Sequence, residues 1–162
     1  MRLPHELQTR PAIEKPDEAM HERIVTIVES RNGPYGQFIT AGSHVLGADE
    51  PVELGGRNTG PDPYELLLSA LGACTAMTIR MYADRRKLKL ARIEVRLRHA
   101  QRANVQGGIA DRFERRITLV GELTVEERQK LLEIADKCPV SQTLQRSSVV
   151  ASSLDETTSA AG

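Results

Sequence analysis

Between Leu66 and Met81 nearly every position is apolar or small, so a helix formed here has no clear face for water. Such a helix is buried, because no rotation about its axis turns a polar side outward. Its start is marked twice. Asp62 is placed to cap the first turn, Glu65 closes a capping box three residues on, and Pro63 falls at the first helical position, where a missing N–H costs nothing. The run predicts one long helix from Asp62 to Arg86. At about 16 apolar residues it is short for a bilayer span, and Ser69, Gly72, Thr75, Thr78 and Arg80 interrupt it, which favours a protein core.

Elsewhere the pattern changes to that of strands. Glu22–Ser30 is β-branched, Arg31-Asn32-Gly33-Pro34 is a turn, and Gln37–Thr40 with His44–Ala48 continue a meander. Gly55 to Pro61 reads as a flexible connection into the helix. Beyond Arg86, Ile93, Val95, Leu97 and His99 alternate with Glu94, Arg96 and Arg98. Arg112–Val120 alternates again, with Phe113, Ile117 and Leu119 on one side, so the two runs predict a hairpin around a loop at Gln101–Asp111. Thr124 and Glu127 form a second capping box, opening a helix that Pro139 stops. Its buried stripe is Leu131, Ile134, Ala135 and Cys138. Gln142–Leu144 reads as a turn and Val149-Val150 as a last short strand.

This order predicts an α+β fold with antiparallel sheets packed on a long central buried helix. Residues 1–20, broken by Pro4, Pro11 and Pro16, read as a polar N-terminal arm, 21–150 as a single domain, and 151–162 as a small-residue tail. One sheet covers one side of the apolar helix, and a chain of 162 residues has little left for the other. A second copy is expected there, in an intimate homodimer.

Composition narrows the function. Aromatics are 3% with no Trp, so the core is aliphatic. A formal net charge of +0 argues against nucleic acid as a partner. The local excess of Arg between Arg85 and Arg102 reads as solvated strand faces. No N-terminal apolar run resembles a signal peptide and no segment is read as crossing a membrane, so a cytoplasmic protein is expected. In that reducing compartment two cysteines are not a static staple; any bridge between them is catalytic or redox-sensing. His5, His21, His44 and His99 are scattered without zinc-ligand spacing, so no metal is expected. Gly55-Gly56 and Gly107-Gly108 lack the context of a phosphate cradle. Either cysteine alone reads as a small core hydrophobe.

The segment GPDPYELLLSALGACTAMTIRMYA, followed much later by KCPVSQTL, resembles the OsmC/Ohr family of osmotically inducible and organic hydroperoxide resistance proteins. The resemblance covers Ile24 to Val150 and is greatest to the OsmC-like branch. It implies an OsmC-like fold in an intertwined homodimer with two active sites at the subunit interface. It also implies a peroxiredoxin-like hydroperoxide reductase. Cys74 would attack the O–O bond of an organic hydroperoxide, and Cys138 would resolve the resulting sulfenic acid as a disulfide. No cofactor is implied; an external dithiol donor, such as a lipoylated protein, would reopen the bridge. An aliphatic surround suits a fatty peroxide, whose tail gains about 0.8 kcal/mol per CH₂ buried.

Cys74 lies about 18 Å past the helix cap, beyond the reach of the helix dipole. In the family an Arg from the early strands, held by a Glu at the helix start, activates the thiol. Arg31 is the candidate by position, with Arg57 close behind; Arg80 points off the Cys74 face. The family's Glu position holds Tyr64 here, and Glu65 follows one place later. Glu65 either substitutes for it across a dimer or only closes the capping box. Two other functions stay open: a non-catalytic protein binding a small hydrophobic ligand, and a redox sensor using the same cysteine pair.

Overall fold

Both expected capping boxes form, and they fix where the helices begin. The computed structural model describes residues 23–103, 109–146 and 148–154. The expected arm over 1–20, the end of the tail and the Gly107-Gly108 loop tip lie outside the described residues. The chain divides into two compact units, one ending at Gly60 and one beginning at Pro61.

The N-terminal unit is an antiparallel meander of β1 (Val25–Glu29), β2 (Gln37–Ala41) and β3 (His44–Ala48). Ile27 pairs with Ile39, and Ile39 with Leu46. The β2–β3 turn is two residues long, with Gly42 in the left-handed region (φ 61°) that such tight hairpins require. The stretch expected to be a loose connection is instead tied down. The buried Asp49 carboxylate accepts the backbone N–H groups of Glu50 (2.9 Å), Arg57 (3.0 Å) and Thr59 (3.1 Å) and the Thr59 hydroxyl (2.9 Å). Burial pushes this carboxyl up, but the bonds from Thr59, Arg57 and Glu50 outweigh it and hold it below the usual aspartate range. The composition of Gly55 to Pro61 suggested flexibility; one carboxylate with four donors removes it.

The second unit holds α1 (Pro63–Arg85), β4 (Lys89–Ala103), β5 (Ile109–Glu122), α2 (Val125–Ala135) and a six-residue α3 (Pro139–Leu144). In α1 the Asp62 carboxylate accepts from Glu65 N (2.8 Å) and Glu65 Oε2 accepts from Asp62 N (3.0 Å). Thr124 and Glu127 do the same for α2. The hairpin is antiparallel, with Val95 opposite Ile117 and His99 opposite Phe113, so the expected inner rows meet. It is longer than the alternation predicted, running into the segment read as loop.

The core is aliphatic: Ile79, Ala83, Leu90, Leu131 and Ala135, flanked by Ile93, Ile117 and Leu119. Arg128 fastens α2 to the hairpin by donating to Leu119 O (2.7 Å) and Gly121 O (3.0 Å). On α1 the buried residues Leu71, Thr75, Ile79 and Ala83 recur every four residues, and Gly72 joins them. Among the described residues the buried positions of α1 lie on one side, while Met77 and Met81 on another face are 64% and 63% exposed. By length and composition α1 would also suit a bilayer, a property that core helices share.

Two further expectations are corrected. Pro139 does not merely stop α2, which ends at Ala135; it opens α3 as its first residue, with Cys138 at the N-cap. Val149-Val150 forms no strand and is almost fully exposed (96% and 89%). Two β-branched residues supply propensity but no ladder partner, and without one there is no strand.

Candidate functional site

The two cysteines, remote along the chain, meet. Cys74 sits mid-way along α1 and Cys138 in the turn between α2 and α3, and both are free thiols, each close enough to shift the other's proton affinity. Local sequence explains both positions. Cys138 continues the buried stripe of α2, with its N–H on Ala135 O (3.3 Å), and Pro139 then redirects the chain so that Val140 and Ser141 turn their N–H groups back toward the sulfurs. Next to Cys74, Gly72 lets the hairpin approach: a Cβ there would come within 2.7 Å of Leu97 Cδ1.

Access and charge are divided between the two sulfurs. Cys74 is partly exposed, whereas Cys138 is 0% exposed. Burial pushes the Cys74 thiol up, and so does its contact with Cys138; the Val140 N–H and the Thr78 hydroxyl only partly offset this. Burial also pushes Cys138 up. There, hydrogen bonds from Cys74, the Ser141 N–H, the Thr75 hydroxyl and the Val140 N–H outweigh burial, and the net direction is down. When the pair loses one proton, the negative charge is favoured on the buried sulfur.

Sequence reasoning missed two residues of this site, Thr75 and Arg115. Thr75 is fully buried, its hydroxyl donates to Leu71 O (2.7 Å), and its presence helps lower the Cys138 thiol. Arg115, from β5, donates Nη1–H to Thr75 Oγ1 (2.9 Å) and Ala135 O (3.0 Å), and Nη2–H to Asp136 Oδ1 (2.7 Å). A signal was present. Arg115 occupies the inward row of β5 between Phe113 and Ile117, where a charge breaks the apolar phase.

The other expected site residues are placed elsewhere. Glu65 closes the capping box, as described above. Arg31 stands at an exposed bend of the N-terminal unit in the left-handed region (φ 59°), and Arg57 donates to Asn32 Oδ1 (3.3 Å) in the same unit. Arg80 is spent on Leu90 O (2.6 Å) and Ala91 O (3.2 Å) of β4. Tyr64, at the family's Glu position, stacks on His99 (4.4 Å between centroids), which stacks in turn on Phe113 (4.8 Å). Among the described residues, no three His, Cys, Asp or Glu side chains gather as metal ligands do. An open groove of about 690 Å³ runs between α1 and β4, lined by Leu68, Gly72, Ala73, Ala76, Val95 and Leu97 among others and by neither cysteine.

The family model described as OsmC-like protein matches residues 56–153. Solved structures share the fold. An organic hydroperoxide resistance protein OsmC of Legionella pneumophila is 23% identical, with 79% of this chain and 92% of that one covered and a TM-score of 0.61. An OsmC-like protein of Mycoplasma pneumoniae is 18% identical, over 77% of this chain and 88% of that one, with a TM-score of 0.66. The organic hydroperoxide resistance protein OhrB of Bacillus subtilis is 20% identical over 77% and 91%, with a TM-score of 0.56. No curated protein sequence matches. With its family match spanning both cysteines and more than half of its length, the chain belongs to the OsmC-like protein family.

Proposed function

We propose that the chain is a thiol-dependent, peroxiredoxin-like reductase of organic hydroperoxides, working as a homodimer in the cytoplasm and drawing electrons from a dithiol donor such as a lipoylated protein. The observation that carries this reading is that Cys74 and Cys138, far apart along the chain, are free thiols close enough to shift each other's proton affinity. Relatives named for organic hydroperoxide resistance support the substrate class.

Access selects the attacking sulfur. A peroxide reaches the partly exposed Cys74 and not the enclosed Cys138. The Cys74 proton passes to Cys138, and the Cys74 thiolate attacks the distal peroxide oxygen. The O–O bond breaks, the leaving alkoxide takes the proton from Cys138, and alcohol departs from a Cys74 sulfenic acid. Cys138, again a thiolate, then attacks the Cys74 sulfur; the S–O bond breaks, and hydroxide leaves as water on protonation. In sum, two thiols and one hydroperoxide give a disulfide, an alcohol and water. In this reading an aliphatic surround rewards a hydrocarbon tail and not hydrogen peroxide. Arg31 or Arg57, supplied by the partner subunit, would bring the cation that draws negative charge onto Cys74.

The test is a thiol count after one equivalent of cumene hydroperoxide. Both thiols should vanish together, with the mass falling by two hydrogens; retention of both would overturn the proposal. Sedimentation tests the dimer, since a monomer at working concentration would leave Met77 and Met81 in water. The groove between α1 and β4 favours one other reading, a binder of small apolar ligands. A co-purified ligand together with peroxide-inert thiols would select it.

A further inference from the structure

Strand alternation gives the β4–β5 hairpin two unlike faces. Ile93, Ile117 and Leu119 pack against the core, and Leu97 lies against Gly72 of α1, so the intervening side chains face away from α1. That outer face carries Arg92, Arg96 and Arg98 from β4 and Arg112 and Arg116 from β5. Only Glu94 and Glu114 oppose them, and five arginines against two glutamates leave a surplus of three positive charges. Glu94 accepts Arg96 Nε–H on one oxygen (2.7 Å) and Arg92 Nη2–H on the other (3.3 Å). Glu114 accepts Arg98 Nε–H on one oxygen and pairs with Arg112 through the other (2.8 Å). The carboxylates lie at the base, 34% and 29% exposed, while Arg96 at the rim is 81% exposed. Register adds an independent feature. Arg96 stands directly opposite Arg116, and like charges so placed, with Cβ atoms about 5 Å apart, cost a sheet stability. Among the described residues Arg116 makes no hydrogen bond or ion pair, and Arg96 and Arg98 bind through Nε alone, so their terminal N–H groups stay open. With Leu97 and Glu114, these three arginines border a depression of about 230 Å³.

We propose that this depression binds a small anion with two adjacent phosphate groups, of the pyrophosphate or nucleoside diphosphate class. The open fork of a guanidinium matches two phosphate oxygens, which the point charge of an ammonium does not. One phosphate fits between Arg96 and Arg116, replacing their mutual repulsion with two attractions. Arg98 stands two residues along the strand, about 6.8 Å on, within reach of the second phosphate. Glu114 is the one carboxylate bordering the depression, and Arg98 and Arg112 meet its charge. Larger polyanions fit less well. Among the described residues this face has no aromatic side chain for a base to stack on, and a net charge of zero gives the chain no long-range pull on nucleic acid. Val120 is its one large apolar side chain among those residues, too little to anchor a membrane surface. The site stands apart from the cysteine chemistry, because Cys74 belongs to α1 on the other side of the hairpin.

The experiment is a calorimetric titration of the full chain with pyrophosphate at about 0.15 M salt, where diffuse surface attraction is largely screened. Saturable binding to one site is expected, with orthophosphate at least about tenfold weaker because it engages fewer forks. Arg96→Gln and Arg116→Gln should each weaken pyrophosphate by about tenfold. Arg85→Gln removes the same charge from the last turn of α1 and should change the affinity less than about twofold. Adenosine diphosphate should bind as pyrophosphate does; binding about tenfold tighter would overturn the assignment to phosphates alone. Melting supplies a second readout. Pyrophosphate should raise the melting temperature of the parent chain. Without anion, Arg116→Gln should melt no lower than the parent, because it removes a like-charge neighbour. An Arg116 that serves only the fold would lower the melting temperature when replaced and leave binding untouched, which overturns the proposal. So does the lack of saturation by about 10 mM pyrophosphate, or an equal loss in Arg85→Gln, the mark of diffuse attraction only. The titration needs no peroxide, so its failure is distinguishable from failure of the peroxidase reading.

Discussion

The two sulfurs influence each other's proton affinity, yet their surroundings are built to opposite ends. Cys74 lies on a helix flank, partly open, with the Val140 N–H and the Thr78 hydroxyl as its supports. Cys138 lies in a closed turn, its thiol lowered by the N–H groups at the start of α3 and by Thr75 on α1. A peroxide can collide with the first and not with the second, while negative charge is at home on the second and not on the first. This division assigns roles without any appeal to which residue comes earlier in the chain. In the proposed reaction the open sulfur would meet the substrate, and the enclosed one would store and release charge.

Exchanging either sulfur for oxygen breaks the comparison most completely. Cys74→Ser should abolish peroxide consumption, because no enclosed thiol can reach the substrate. Cys138→Ser should still consume one equivalent and then stop, with a sulfenic acid on Cys74 that dimedone traps. Dimedone adducts on Cys138 in the Cys74→Ser chain would reverse the assignment.

How much of this site could be read from the chain depends on whether the signal was local. Asp62 with Glu65 and Thr124 with Glu127 announced their helices because a capping box is contained within four residues. The alternation of Ile93, Val95 and Leu97 against Glu94 and Arg96 likewise needed nothing beyond its own strand. Cys138 was legible as buried, since it extends the stripe of Leu131, Ile134 and Ala135, but its turn was not, because Pro139 both ends one helix and begins another. The meeting of Cys74 with Cys138 came from family resemblance; spacing along the chain holds no information about it. Arg115 was visible as a charge in an apolar row and went unread, since its partners Thr75 and Ala135 come from two other elements. Val149-Val150 failed for the complementary reason: strand propensity was present, and a neighbouring strand was not.

A cavity placed under one sulfur sharpens the contrast next. Leu131 is fully enclosed beneath the turn that carries Cys138. Leu131→Ala should cost about 2–5 kcal/mol in denaturant unfolding. It should also let sulfenic acid form on Cys74 at an undiminished rate while closure of the disulfide slows. Equal slowing of both steps would mean that the two surroundings are not independent.

Titration of the reduced pair reads the division of charge directly. The first proton should leave below the ordinary cysteine value of about 8.5 and the second above it, giving two steps in thiolate absorbance rather than one. The stability signs follow. Cys138, depressed in the folded state, stabilises fully above its unfolded value, and that contribution is lost as pH falls through its folded one. Cys74, raised, stabilises fully below its unfolded value and loses this as pH rises through its folded one. The reduced protein should therefore lose stability on both sides of the ordinary thiol range, and a single step at the ordinary value would erase the distinction between the sulfurs.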